Sequence, residues 1–251
     1  MIYFFSFGDS KYKNTLCRIK REAIRSNFFD KVITYTDKDL PKEINEYCTN
    51  NPTGYGYWIW KPYLTKKLLD QVKENDIICY CDAGCHINKK GNNRFFEYIK
   101  MINESDIGNI SFQMERLEKI WTKVDVFNYF NAYNLRDTGQ IAATVFMLKK
   151  NNHNLFITNL WKEASFNNRD LIDNKPSVIA NDIHFKTHRN DQSIFSIIRK
   201  QYGTILLPDE TWKVSANNQW DENYPLQARR LRQISKFDLL LYLLNMKKLL
   251  N

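Results

Sequence analysis

The stretch DIICYCDAGCHINKK, residues 76–90, brings a carboxylate, a glycine, a cysteine and a histidine together directly after an apolar run. Asp82 ends that run, and Gly84 lets the chain turn sharply with its backbone close to a ligand. Two interpretations of Asp82 remain open from local sequence: an ordinary Asx turn, or a carboxylate that binds a metal ion or substrate. The apolar strand before it favours the second, because it would hold the carboxylate rigidly at a sheet edge.

A zinc site is the alternative use of the same stretch, with Cys79, Cys81, Cys85 and His86 as ligands. Residues 79 and 81 lie on one side of a strand, whereas Asp82 points the other way. The usual spacing of a zinc-binding cysteine pair is matched only loosely, and no second pair occurs elsewhere. Buried, reduced cysteines are therefore the preferred interpretation.

Two further segments carry candidate chemistry. In GYGYWIWKPYL, residues 54–64, Lys61 stands near a helix start, where a lysine and a helix N-terminus together favour phosphate. Its aromatic residues suit stacking on a base or sugar, although packing is their commoner role. In HRNDQSIFS, residues 188–196, an imidazole, a guanidinium, a carboxylate and an amide open an amphipathic helix; Asp191 is either a simple N-cap or a reactive group.

The elements that must position these residues alternate between strand and helix. Apolar and β-branched runs predict strands, and apolar residues at helical spacing predict helices between them. This order indicates an α/β fold with a mostly parallel central sheet covered on both faces. Ligands collect at the carboxyl ends of such strands, so FGDS, DAGCH and HRND are expected to converge on one edge. The predicted strands are MIYFFSF, FDKVITYT, DIICYC, GNISF, QIAATVFMLKK and YGTILL, and the predicted helices include residues 14–26, a helix with Pro62 in its first turn, RFFEYIKMI, VDVFNYFNAY, NLFITNLWKEA and DQSIFSIIRK.

Size and charge limit the function classes. A chain of 251 residues that is 43% hydrophobic can bury one large core, and it has no apolar stretch long enough to span a membrane and no recognisable signal peptide. The net charge of +9 suits an anionic partner, but from Leu226 onward six basic residues face one acidic residue, so five of the nine charges lie in this tail. The concentration of charge in the tail weakens a general nucleic-acid interpretation.

Taken in order, GYGYWIWKPYL, DIICYCDAGCHIN, EKIWTKVDVF, QIAATVFMLKKN and HRNDQSIFS resemble bacterial and giant-virus glycosyltransferases of the GT-A fold that build capsular or lipopolysaccharide glycans. The resemblance extends from the first strand to about Arg232. It implies a single GT-A (Rossmann-like) domain that uses a nucleotide sugar, UDP-linked by expectation. In such enzymes an Asp-x-Asp motif binds a divalent cation that bridges the donor diphosphate, and Asp82 matches its first aspartate.

The resemblance also implies the remaining site residues. Gly84 replaces the second aspartate of the motif, so His86, or His188 from the later loop, would complete the ligands of a Mn²⁺ or Mg²⁺ ion. One or two carboxylates with phosphate oxygens and waters can also hold such an ion on a diphosphate, and Lys and Arg could instead neutralise the diphosphate directly. Asp191 and Gln192 are similar to the Asp-Gln pair that lies beneath the sugar in retaining enzymes, and in an inverting enzyme Asp191 would be the base. The implied donor contacts are Phe7, Gly8, Asp9, Lys61, Tyr80, Asp82, Gly84 and Lys123.

The domain prediction is a catalytic unit over residues 1–235 followed by a basic amphipathic helix, residues 236–251, that either packs on the domain or lies on an acidic membrane. The arginines before that helix, Arg229, Arg230 and Arg232, could instead bind the diphosphate. The expected partners are a nucleotide-sugar donor and a glycan or lipid-linked acceptor, without nucleic acid. The expected location is the cytoplasm, with peripheral attachment to the inner membrane face. The alternatives are a non-catalytic protein that binds nucleic acid or an anionic surface, and a hydrolase, although no serine-hydrolase elbow is present.

Overall fold

A seven-stranded sheet is the centre of the computed structural model, which describes residues 1–215 and 217–232. Its strand order is β2-β1-β3-β7-β5-β6, and β8 pairs with β5 beyond this path. A separate two-stranded ribbon joins β4 to β9. The strands are β1 (Ile2–Phe7), β2 (Lys31–Tyr35), β3 (Ile77–Cys81), β4 (His86–Ile87), β5 (Asn109–Leu117), β6 (Gly139–Ile141), β7 (Val145–Lys149), β8 (Ile205–Pro208) and β9 (Leu226–Gln227).

Strand directions confirm the predicted mostly parallel sheet. β1 runs parallel to β2 and β3, and β8 runs parallel to β5. β7 is antiparallel to both β3 and β5, so β5 returns to the direction of β3, while β6 is antiparallel to β5. Only β6 and β7 therefore oppose the common direction within this sheet. The prediction of one strand over QIAATVFMLKK was wrong in detail, because the chain breaks at residues 142–144 into β6 and β7.

Helices cover the sheet as predicted, and the structure adds short helices that the sequence analysis does not predict. The longest of these, over Lys42–Asn50, buries only Ile44 and Cys48, which is too few apolar positions to give a clear periodic signal. The helices are α1 (Lys13–Ser26), α2 (Lys42–Asn50), the single turn α3 (Gly54–Tyr57), α4 (Trp60–Gln71), α5 (Asn92–Glu104), α6 (Glu118–Trp121), α7 (Val124–Phe130), α8 (Asn152–Asn167) and α9 (Asn190–Tyr202).

The alternation of side chains along the strands divides the core into two layers. Tyr3 and Phe5 of β1 belong to the layer that includes α4, α8 and α9, whereas Phe4 between them belongs to the layer with α1 and α5. β3 divides in the same way, with Tyr80 in the first layer and Cys79 in the second. Because successive strand residues face opposite sides, one buried strand can support both layers.

The described residues contain no helix long and apolar enough to cross a membrane. The predicted amphipathic helix of residues 236–251, and with it the proposed domain boundary at residue 235, lies outside the described residues.

Stacked aromatic rings hold α8 against α9 beneath the sheet. Trp161 and Phe195 are fully buried, and their rings stack with a centroid distance of 4.0 Å and an interplanar angle of 4°. Phe195 also meets the ring of Phe146 on β7 at 5.4 Å. α9 carries Asp191 and Gln192 at its first turn. This packing therefore fixes the helix that presents both residues.

Replacing the buried Phe195 with alanine is expected to lower the free energy of unfolding by about 3–5 kcal/mol, because a cavity replaces the lost ring contacts. Phe156→Ala on α8 is the matched control, since Phe156 is 50% exposed and its loss should cost less than about 1 kcal/mol. Urea denaturation followed by circular dichroism measures both. Equal losses in the two variants would contradict the assigned packing.

Candidate functional site

The site begins where β3 ends. Asp82 follows Cys81 and donates its backbone N–H to the Thr144 carbonyl at 2.9 Å, which ties the end of β3 to the start of β7. The hydroxyl of the fully buried Tyr80 donates to Asp82 Oδ1 at 2.5 Å. The Asp82 side chain is 34% exposed, so the carboxylate is held by Tyr80 on its buried side and is open to solvent on the other side.

A single ammonium group connects this carboxylate to α9. Lys61 Nζ lies 3.2 Å from Asp82 Oδ1 and 3.1 Å from Asp191 Oδ2, and it donates to the Ala143 carbonyl at 3.1 Å. Both Lys61 and Asp191 are almost completely buried. The structure therefore brings together Lys61, Tyr80, Asp82 and Asp191, which the sequence assigned separately. Lys61 was expected to face an anionic ligand, but its ammonium is enclosed by two carboxylates of the chain itself.

One positive charge between two carboxylates leaves the cluster with one negative charge in excess. Burial raises the pKa of Asp191 to about 6, aided by the nearby charge of Asp82 and opposed by Lys61. For Lys61, burial acts to lower the pKa, but the charges of Asp191 and Asp82 outweigh it and the pKa is raised. Lys61 carries one positive charge and cannot neutralise both carboxylates. Burial of the charged form of Asp191, the more deeply buried of the two, is therefore only partly compensated.

The backbone before Lys61 has an unusual conformation that sets the start of α4. Gly54, Tyr55, Gly56, Tyr57 and Trp58 all have positive φ angles, between 50° and 79°. Each non-glycine residue in this left-handed region costs roughly 1–2 kcal/mol. A Cβ on Gly56 would lie 2.6 Å from the sulfur of Cys48, so only glycine fits there. The aromatic residues of GYGYWIWKPYL thus form a left-handed turn that leads directly into the helix carrying Lys61.

Gln192 belongs to a hydrogen-bond chain behind the site. Its side-chain oxygen accepts from Ala143 N–H at 3.1 Å, and its amide donates to Gln140 Oε1 at 2.6 Å. Gln140 in turn donates to Glu118 Oε2 at 3.1 Å and to Thr122 Oγ1 at 3.0 Å. These bonds fix which way both amides point. The sequence gives no reason to pair Gln140 with Gln192, because 52 positions separate them.

The loop after Asp82 is held by α1. Arg18 donates to the carbonyls of Ala83 and Cys85, each at 2.8 Å, and Glu22 accepts from Ile87 N–H at 3.1 Å. Glu22 Oε2 also lies 3.1 Å from His86 Nδ1. His86 is therefore occupied by a carboxylate of α1. Among residues 1–215 and 217–232 no group of three or more His, Cys, Asp or Glu side chains could hold a metal ion, so the structure does not support the zinc alternative.

Two predicted ligands lie in a different buried network. His188 accepts from Lys123 N–H at 3.4 Å through Nδ1, and its Nε2 lies 2.8 Å from the Leu171 carbonyl. Lys123 Nζ pairs with Asp173 at 3.3 Å and is buried. Burial lowers the pKa of His188 to about 4, so the ring is neutral. His188 as a metal ligand and Lys123 as a donor contact stay predictions, and in this structure backbone groups and Asp173 occupy their polar atoms.

The residues after β1 lie at the same sheet edge as Asp82, since β1 and β3 are parallel neighbours. Phe7 is 5% exposed and its ring stacks on Trp60 at 4.0 Å, so it packs in the core instead of offering a face to a ligand. Asp9 is half-buried at this edge, and its side chain caps residues Ser10–Tyr12 by accepting from Lys11 and Tyr12. A Cβ on Gly8 would lie 3.1 Å from Tyr12 Cβ, which explains the small residue.

A divalent cation fits these residues poorly. Asp82 Oδ1 already accepts from Tyr80 and faces the Lys61 ammonium, which would repel a metal ion bound to the same oxygen. Gly84 supplies no side-chain ligand, and the described residues contain no cluster that could complete a cage. Substrate phosphates and waters usually supply much of the coordination of such a cation, beside one or two carboxylates. The described residues by themselves therefore form no cage for Mn²⁺ or Mg²⁺, and Asp82, on its open side, is the carboxylate that could contribute to one.

No protein-family model matches the chain, and no curated protein matches its sequence. Solved structures that resemble it include a glycosyltransferase involved in glycosylation of the major capsid of PBCV-1 (11% identity, 86% of this chain and 85% of that one, TM-score 0.47). Mouse xyloside xylosyltransferase 1 (14%, 84% and 87%, 0.45) and the galactosyltransferase LgtC (12%, 93% and 85%, 0.45) are others. At these sequence identities and TM-scores, the similarity in overall chain path does not assign an activity. An activity has to be argued from the side chains of the site.

Stability between pH 4 and 6 should report the protonation of Asp191. A folded-state pKa of about 6, against an ordinary value of 3.8, means that the folded protein holds this proton more tightly than the unfolded chain. That contribution is present below pH 4 and is lost as the pH rises to 6, by up to about 3 kcal/mol. Asp191→Asn should remove this part of the pH dependence.

The measurement is the urea unfolding free energy of wild type and Asp191→Asn at pH 4, 5, 6 and 7. Asp106→Asn, a change to an exposed aspartate, is the matched control and should follow the wild-type slope. If Asp191→Asn and wild type lose stability in parallel across this range, Asp191 does not carry the shifted proton.

Proposed function

We propose that the chain is a glycosyltransferase that moves a sugar from a nucleotide-sugar donor to a hydroxyl acceptor. The observation that supports this most is the pair of carboxylates, Asp82 and Asp191, sharing one buried lysine at the carboxyl end of β3. Ligands of open α/β sheets bind at this edge. One carboxylate is exposed and rigidly held, and the other is buried with a raised pKa, which is the separation of environments that acid and base chemistry uses.

The reaction breaks the bond between the sugar C1 and the donor diphosphate and forms a bond from C1 to the acceptor oxygen. The acceptor hydroxyl gives up its proton, and a nucleoside diphosphate leaves. We assign Asp82 to the donor sugar or ribose, since its outer oxygen side is open and its inner side is held by Tyr80. Asp191 and Gln192 are assigned to the reacting centre; if the reaction inverts, Asp191 takes the acceptor proton.

The finer assignment is a UDP-linked hexose transferred to a glycan or lipid-linked acceptor in the synthesis of capsule or lipopolysaccharide, at the cytoplasmic face of a membrane. It rests on the sequence resemblance, on Asp9 at the same sheet edge as Asp82, and on the basic residues that follow Leu226. A protein that only binds an anionic surface would need exposed cations. It would have no use for a nearly buried lysine between two carboxylates, which favours the enzyme over that alternative.

Asp82→Asn should lower the rate of donor turnover by at least about a hundredfold, because a neutral amide cannot keep the ion pair with Lys61 or accept as strongly from a sugar hydroxyl. The assay follows release of nucleoside diphosphate from UDP-, GDP-, CDP- and ADP-sugars, alone and with glycan acceptors, with Mn²⁺ or with EDTA. Asp106→Asn again serves as the control and should turn over as wild type does. The proposal fails if no donor is consumed under any condition, or if Asp82→Asn matches wild type.

A further inference from the structure

Three arginines border the site without a carboxylate partner among residues 1–215 and 217–232: Arg116, Arg189 and Arg230. Arg116 and Arg230 are exposed, and Arg189 is half-buried. By contrast, Arg94 forms an ion pair with Glu210 at 2.6 Å, and Arg136 pairs with Asp182. The guanidinium groups of Arg116, Arg189 and Arg230 thus have no carboxylate of the described chain to neutralise them.

Trp121 brings two of the three together. The guanidinium carbons of Arg116 and Arg189 lie 5.1 Å and 4.1 Å from the centroid of its ring. Arg189 also donates its backbone N–H to the Trp121 carbonyl at 2.9 Å, which fixes it at the start of α9, two residues before Asp191. Stacking on an aromatic face orients a guanidinium while its N–H groups remain available at the edge.

Arg230 reaches the same side through Gly84. Leu231 donates its backbone N–H to the Gly84 carbonyl at 2.8 Å, and β9 pairs with β4 just beyond the loop. A Cβ on Gly84 would lie 3.3 Å from the Cα of Arg230, a tight approach that a carboxylate side chain at position 84 would disturb. The glycine in the third position of the motif therefore lets an arginine lie where the related motif has a second aspartate.

These positive charges are close enough to act on one another. The pKa of Arg189 is lowered, first by burial and then by the charges of Arg116 and Arg230. Like charges held together cost free energy in the absence of a ligand. A multivalent anion would remove that cost on binding, and planar guanidinium groups match phosphate oxygens in paired hydrogen bonds.

We propose that Arg116, Arg189 and Arg230 bind the diphosphate group of the donor and supply the positive charge that a protein-bound divalent cation would otherwise provide. This inference rests on the proposed function. Asp82 does not prevent it, because Lys61 offsets part of the charge of that carboxylate, which it shares with Asp191, and Tyr80 donates to its buried side. Asp82 can then accept from a sugar or ribose hydroxyl without a metal ion between it and the phosphates.

A diphosphate can belong to a nucleotide or to a lipid carrier, and we commit to the nucleotide because Arg189 stands two residues before Asp191 and the backbone of Arg230 lies against Gly84 in the loop after Asp82. The test measures binding by calorimetry, in EDTA and then in Mn²⁺, for UDP, GDP, CDP, ADP, inorganic pyrophosphate and geranyl diphosphate. The variants are Arg116→Gln, Arg189→Gln and Arg230→Gln. The matched control is Arg25→Gln, which removes an exposed arginine from the last turn of α1.

In EDTA, wild type and Arg25→Gln should bind one nucleoside diphosphate, and each of the three site variants should bind it roughly ten- to a hundredfold more weakly. Arg189→Lys should recover part of the affinity, since the charge returns without the paired geometry. The three glutamine variants should melt at or above the wild-type temperature without ligand, because they relieve repulsion. This separates lost binding from lost folding.

Three results would overturn the inference in distinguishable ways. Nucleotide binding that requires Mn²⁺ and ignores the arginines would reject the arginine site and leave the proposed transferase intact. Arginine-dependent binding of pyrophosphate or geranyl diphosphate, with no preference for any nucleotide, would reject the donor assignment and with it the proposed function. Binding of no diphosphate in either condition would reject the arginine site, and turnover of a nucleotide sugar would then decide the proposed function independently.

Discussion

The Lys61 ammonium is the contact on which the geometry of the site depends. It connects the end of β3, the start of β7 and the first turn of α9 through Asp82, the Ala143 carbonyl and Asp191. Removing one partner of a buried ion pair leaves an uncompensated charge and costs about 3–5 kcal/mol. Lys61 therefore holds these three segments together. Because it contacts Asp82 from one side, the other side of that carboxylate stays open.

The surrounding structure supports this contact from three directions. The left-handed turn before α4 sets the helix start that carries Lys61, and Tyr80 holds Asp82 from the core side of β3. The stack of Trp161 on Phe195 fixes α9 and so the position of Asp191. A site assembled from rigid elements in this way keeps its polar groups oriented before any ligand arrives, which is what electrostatic catalysis requires.

The sequence predicted the strands and helices better than the side-chain contacts between them. Periodicity located most strands and helices, because the strands are buried on both faces and the helices carry clear apolar stripes. It missed α2, whose buried side is only Ile44 and Cys48, and it joined β6 to β7, because residues 142–144 between them are buried and carry no turn residues. Local sequence also marked Lys61, Asp82 and Asp191 separately. These three residues come together through contacts between positions that lie 21 to 130 residues apart in the chain. No local sequence pattern encodes such contacts.

Burial is the property of the predicted site residues that the sequence does not show. Lys61, Lys123 and His188 are groups that bind phosphates or metals when exposed, and in the structure each is buried and partnered by the chain itself. The arginines show the reverse case: the sequence separates Arg116, Arg189 and Arg230 by 73 and 41 positions, and Trp121 and the close approach at Gly84 bring them together. The anionic donor of the proposed function needs positive side chains that solvent can reach, which the buried lysines are not. The proposed arginine site meets that requirement, and the glycine at position 84 makes room for the backbone of Arg230.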